Sequence, residues 1–178
     1  MGFTPTHFDS HMGTLFASPY FFERYIKLGI NYHTPVMVPA GNAIVIRQQM
    51  NATDAMINMM RAAGKQLWDA GLPVLDDLHN TSYDWHLPAG LEPTDKNLQQ
   101  NKTAFYIQEL KKLQPGVTMV IMHCTQPSPI FEKISESGIV RKSDTLAMMD
   151  PQLKRFIQNE GIILTTWREL MERRAKVK

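Results

Sequence analysis

Apolar and polar positions along the chain switch between short strand-like runs and longer stretches of helical period, predicting strand then helix, repeated about five times. PTHFDSH (5–11) is the first strand and ends in a turn at Met12–Thr14. Ser18-Pro19 pairs a cap with a first-turn proline, and Phe22, Tyr25, Ile26 and Gly29 fall on one face of the next helix. PVMVP (35–39) is the second strand. From about Thr53, a helix places Met56, Met59, Met60, Ala63 and Leu67 on one stripe and stops at Gly71. Flexible methionine fills irregular gaps, so this stripe reads as core. LPVLDDL (72–78) is the third strand, followed by a long polar loop, HNTSYDWHLPAG. A helix from about Thr94 turns Tyr106, Leu110 and Leu113 inward and ends before Pro115-Gly116. GVTMVIMHC (116–124) is almost wholly apolar, as expected of a strand covered on both faces. Asp150-Pro151 opens a short helix with Leu153, Phe156 and Ile157 inward, GIILTT (161–166) is the fifth strand, and Thr166 with Glu169 forms a capping box for the last helix. The alternation predicts an α/β fold, a parallel sheet of about five β/α units, in a single domain over residues 1–178.

Composition narrows the function classes. With 178 residues and 43% hydrophobic content, the chain is long enough for one sizeable core. Nineteen basic residues against seventeen acidic ones leave a formal charge of +2, without the clustered Lys/Arg that tracks a phosphate backbone, so no nucleic-acid partner is expected. No apolar run approaches the roughly 20 residues that cross a bilayer, so no membrane partner is expected either. The single cysteine, Cys124, excludes an internal disulfide. MGFTPTHFDS has neither the basic nor the apolar segment of a signal peptide, and a cytoplasmic location is the expectation.

Candidate chemistry begins at the first strand. Alternation puts His7, Asp9 and His11 on one side and Thr6, Phe8 and Ser10 on the other. A covered polar row of this kind is either a satisfied hydrogen-bond network or a metal site, since uncompensated burial costs about 1–3 kcal/mol per group. Imidazole suits zinc and similar ions, with a carboxylate as the usual partner that orients the ring. His123 emerges at the carboxyl end of an apolar strand, where active sites of parallel α/β folds collect, or it is a histidine that hydrogen-bonds a loop. Asp76, Asp77 and His79 line a pocket or form a turn and capping cluster, and Trp85 and His86 contact a sugar or plug the loop. Cys124 lacks a nucleophile motif and reads as a small hydrophobe, while His33 complements a helix end.

PTHFDSHMGT, PGVTMVIMHC, an arginine-containing segment and EGIILTTWREL together resemble the YdjC-like carbohydrate deacetylases, in order and spacing as well as type, from Pro5 to about Leu170. The resemblance implies the C-terminal portion of a distorted (β/α) barrel of the polysaccharide-deacetylase type. It implies a metal-dependent hydrolase that removes N-acetyl groups from a sugar or oligosaccharide. His11 matches a ligand of a divalent metal, Zn or Mg; His123 matches the acid that protonates the leaving amine. His7 and Asp9 match pocket groups around the substrate, Arg141 falls in a substrate-orienting or structural segment, and Asp76 is the remaining candidate substrate contact. Many relatives continue D-S-H-x-H where this chain has Gly13, and the acidic pair and further histidine of the family's opening section have no match here. The expectation is therefore a partial site with weak or absent metal binding. The alternative is a non-catalytic β/α domain that binds a small ligand or self-associates as a homodimer through uncovered strand edges.

Overall fold

The computed structural model describes residue 2 and residues 4–177. Its parallel pairing starts at Phe8, which bridges Val36: Phe8 N–H donates to Pro35 O at 2.8 Å and Met37 N–H to Phe8 O at 3.0 Å. Pro39 bridges Leu75 in the same sense, with Ala40 N–H donating to Leu75 O at 2.9 Å. The regular sheet has two strands, β1 (Asp77–His79) and β2 (Thr118–Val120). The helices are α1 (Pro19–Tyr32), α2 (Ile44–Met50), α3 (Asp54–Asp69), α4 (Asp95–Leu110), α5 (Gly138–Met148), α6 (Pro151–Asn159) and α7 (Trp167–Arg174), with 3-10 turns at His11–Phe16, Ser82–Asp84 and Phe131–Lys133.

The chain divides into two units. One runs to Leu78 and takes in Gly116–Met119 and the chain from Leu164; the other is His79–Pro115 with Val120–Ile163. In the first, Phe22, Tyr25 and Ile26 of α1 and Ala63 and Leu67 of α3 close over Val36, Val38 and Leu72. Each large side chain so buried contributes about 1.5–3 kcal/mol. Gly29 lets α1 approach closely, since an added Cβ would lie 2.6 Å from Val36 Cγ1. Tyr25 joins the two N-terminal segments through its hydroxyl, which donates to Phe8 O at 2.7 Å and accepts from Met37 N–H at 2.9 Å. Burial raises the Tyr25 phenol above its ordinary value and keeps it neutral. In the second unit, Tyr106 of α4, Ala147 of α5 and Leu153 of α6 form the centre, with Val120, Met122 and Ile157 against it.

Expected and observed elements differ in specific places. The inward face of α1 is the expected one, with Phe22, Tyr25, Ile26 and Gly29 all buried. On α3 the stripe is rotated: Ile57, Met60, Ala63, Gly64 and Leu67 are buried while Met56 and Met59 reach solvent. The helix over 94–110 ends at Leu110, so Leu113 lies beyond it, and it buries Leu98, Lys102, Thr103 and Tyr106. The expected strand at 116–124 is half-buried and regular only at Thr118–Val120, because it has one strand partner among the described residues. GIILTT forms no strand, and its Ile163 and Leu164 are 78% and 75% exposed. The result is a helix-rich α/β chain with a small parallel sheet; a five-unit barrel is not what these pairings show. α2 and α5 have no counterpart in the strand-and-helix pattern described above.

Candidate functional site

The densest polar constellation lies in the second unit, around the end of the β2 segment. Ile121 N–H donates to His79 O at 2.9 Å, extending the parallel pairing toward His123. His123 N–H donates to Asp144 Oδ2 at 2.9 Å, so the strand end is held by a residue of α5. The half-buried His123 ring lies 4.7 Å from the ring of Tyr83, tilted by 41°. Tyr83 accepts at its hydroxyl from Arg141 Nη2 at 2.8 Å, and Arg141 Nε donates to Ser137 Oγ at 2.8 Å. The Arg141 guanidinium stands 5.7 Å from the ring centres of both Tyr83 and Phe131.

Beneath this cluster sits a fully buried ion pair. Lys102 Nζ lies 3.2 Å from Asp144 Oδ1, and neither side chain has any exposure. Asp144 also accepts from Ser82 Oγ at 2.8 Å and from Tyr106 OH at 2.7 Å. Lys102 donates to Ser82 O at 2.9 Å and to Ser82 Oγ at 3.1 Å, and its ammonium faces the Trp85 ring at 4.6 Å. Burial pulls the Lys102 ammonium below the usual lysine value, while Asp144 opposes that shift. Burial likewise pushes the Tyr106 phenol up, so it stays a donor to Asp144. Pairing and hydrogen bonding together make two buried charges tolerable here. Neither Lys102 nor Asp144 was singled out from the sequence. Leu98, Lys102 and Tyr106 at i, i+4 and i+8 were the available signal, for they set a lysine in the middle of an inward stripe.

The first motif lies in the first unit. His7 stacks on Trp167 of α7 with ring centres 5.1 Å apart and planes 17° apart. Burial lowers the His7 imidazole below its ordinary value and outweighs the opposing charge of Asp9. Ser10 is buried and accepts from Leu15 N–H at 2.9 Å, whereas Asp9 and His11 are exposed. The expected strand over 5–11 is reduced to the single bridge at Phe8, and the chain turns just after His11, where Met12 (φ 55°) and Gly13 (φ 68°) are two successive left-handed residues. His11 begins the 3-10 turn, so the strand alternation expected of His7, Asp9 and His11 does not extend through it. Among the described residues, no three His, Cys, Asp or Glu side chains gather into a group that could hold a metal ion. The residues present thus do not fit the ligand set implied for His11.

The remaining candidates hold backbone. Asp76 Oδ2 accepts from Val117 N–H at 2.7 Å, in a space that a Cβ on either Gly41 or Gly116 would invade. Asp77 accepts from Val45 N–H at 2.7 Å and Ile46 N–H at 3.1 Å, capping the first turn of α2 from a distant part of the sequence. Buried His79 donates from Nε2 to Glu109 Oε2 at 3.0 Å. Burial alone would raise the Glu109 carboxyl, but bonds from Lys112 and His79 outweigh it and leave the group below its ordinary value. Trp85 is buried over Lys102, His86 is exposed, and His33 closes α1 in the left-handed conformation. Burial and the charge of Asp144 push the Cys124 thiol up, the reverse of what a thiolate nucleophile needs.

A family model described as YdjC-like protein matches residues 1–159. No curated protein matches the chain closely enough to count as a relative.

Proposed function

Because the chain belongs to the YdjC-like family, a carbohydrate deacetylase-related group, we propose that it is a hydrolase removing N-acetyl groups from a sugar or oligosaccharide, with His123 as the proton donor. The observation that carries the reading is the placement of His123 at the end of a parallel segment, its N–H fixed by Asp144 and its ring against Tyr83. In amide hydrolysis, water adds to the acetamide carbonyl, the C–N bond breaks, and nitrogen must gain a proton to leave as an amine. An imidazole is suited to that need, because histidine is the side chain most often used to accept and return protons in catalysis. Well-placed general acid catalysis is worth about 10²–10⁴-fold. Arg141, which meets Tyr83 in the same unit as His123, is the further group assigned to the substrate's surroundings.

Acetate release from an N-acetylated chito-oligosaccharide, with zinc or magnesium in excess, tests this reading. Release by the native chain that falls at least about 100-fold in His123→Ala is expected. Equal release from both proteins, or none from either, overturns it. Metal binding has its own measurement: after dialysis against zinc, less than one equivalent should remain bound. A tight stoichiometric ion lost in His11→Ala would instead show a complete ligand set.

A second reading, self-association as a homodimer, is favoured by the exposed Ile163 and Leu164 and by the single strand partner of β2 among the described residues. Light scattering on a size-exclusion column discriminates, since a monomer at all concentrations counts against it.

A further inference from the structure

Two residues of α5, three apart in sequence, hold the two partners of one ring contact. Asp144 accepts from His123 N–H at 2.9 Å and from Ser82 Oγ at 2.8 Å, and so fixes the backbone at His123 and the start of the 3-10 turn that carries Tyr83. Arg141 donates to the Tyr83 hydroxyl at 2.8 Å. Residues at i and i+3 share a helix face, so a single rigid element sets both sides of the Tyr83–His123 contact. Arg141 is itself held, by Ser137 Oγ at 2.8 Å, which lies 2.7 Å from Ser135 Oγ.

Tyr83 is a poor candidate for a stabilising core residue, being 40% exposed. Its hydroxyl is nonetheless tethered, its backbone turn anchored to a buried carboxylate through the preceding serine, and its ring 4.7 Å from an imidazole. Fixing an exposed aromatic this firmly costs side-chain entropy, and burial at this site recovers only part of it. What the arrangement does achieve is to set the Tyr83 ring against the His123 ring. A group that transfers a proton gains from being held in one orientation, because misplacement by about 1 Å can cost 10²-fold in rate.

We propose that Tyr83 is a positioning residue that holds the His123 imidazole in its proton-donating orientation, with Arg141 as the tether that holds Tyr83. The inference rests on the reading of His123 as the donor. It also gives Arg141 a role apart from direct substrate contact.

The test combines spectroscopy and kinetics on the full chain. In nuclear magnetic resonance spectra, the His123 ring protons should be displaced by the Tyr83 ring. The displacement should disappear in Tyr83→Ala and persist in Tyr83→Phe. Acetate release should show kcat about 10- to 100-fold lower in Tyr83→Ala with KM within about twofold, and Tyr83→Phe should recover most of the rate. Arg141→Gln, which loses the same hydroxyl tether as Tyr83→Phe, should fall between native and Tyr83→Ala and close to Tyr83→Phe. Melting temperatures close to native in Tyr83→Ala exclude loss of fold as the cause. Identical His123 shifts in the native and Tyr83→Ala proteins overturn the positioning role, as does native kcat in Tyr83→Ala when His123→Ala is inactive. If His123→Ala instead releases acetate at the native rate, it is the donor reading that fails, and the shift measurement still decides whether Tyr83 orients the ring.

Discussion

Lys102 and Asp144 show how a single buried residue can govern a whole neighbourhood. With neither side chain exposed, removing one partner leaves an uncompensated charge, and Lys102→Met alone or Asp144→Asn alone should each cost about 3–5 kcal/mol. Replacing both should cost clearly less than the sum, and a double-mutant cycle from denaturant unfolding measures the difference. His7 provides a gentler probe. Its pKa is lowered by burial, so the unfolded chain binds a proton more readily than the folded one. Its contribution to stability is therefore complete above the unfolded value near 6.5 and is lost as pH falls from there through the lower folded value. Trp167 emission should change over that same acidic window, and His7→Gln should abolish the change, because the two rings stack.

At the scale of elements, legibility depended on what each helix buries. α1 was readable because four inward positions, Phe22, Tyr25, Ile26 and Gly29, are apolar or small at helical spacing. α5 was not, since its buried residues are Ser143, Asp144 and Ala147, and a polar inward face has no hydrophobic period to detect. The rotated stripe of α3 has a related cause. Methionines crowd both faces of that helix, and Ile57 rather than Met56 is buried. Of the candidate site, His123 was legible from its strand end, but Tyr83, Lys102 and Asp144 depend on pairings between distant segments. α2 owes its first turn to one of these, the carboxylate of Asp77. Asp77→Ala should cost about 1–3 kcal/mol, and hydrogen exchange at the Val45 and Ile46 amides should accelerate more than at α1.

For the whole molecule, the order of the chain matters as much as its packing. The two units are interleaved in sequence: the chain passes from one to the other after Leu78, after Pro115, after Met119 and after Ile163. Neither is a continuous stretch, so neither is expected to fold as an excised fragment, and chemical unfolding should be one transition. Single-tryptophan variants retaining Trp68 or Trp167 for the first unit and Trp85 for the second should give coincident curves. α7 closes the first unit, with Met171 against the cluster built from α1 and α3 and Trp167 on His7. During synthesis, that helix leaves the ribosome only after all of the second unit has emerged. The apolar cluster assembled earliest thus waits longest for its lid, and the nascent chain must keep it from sticking to neighbours through that delay.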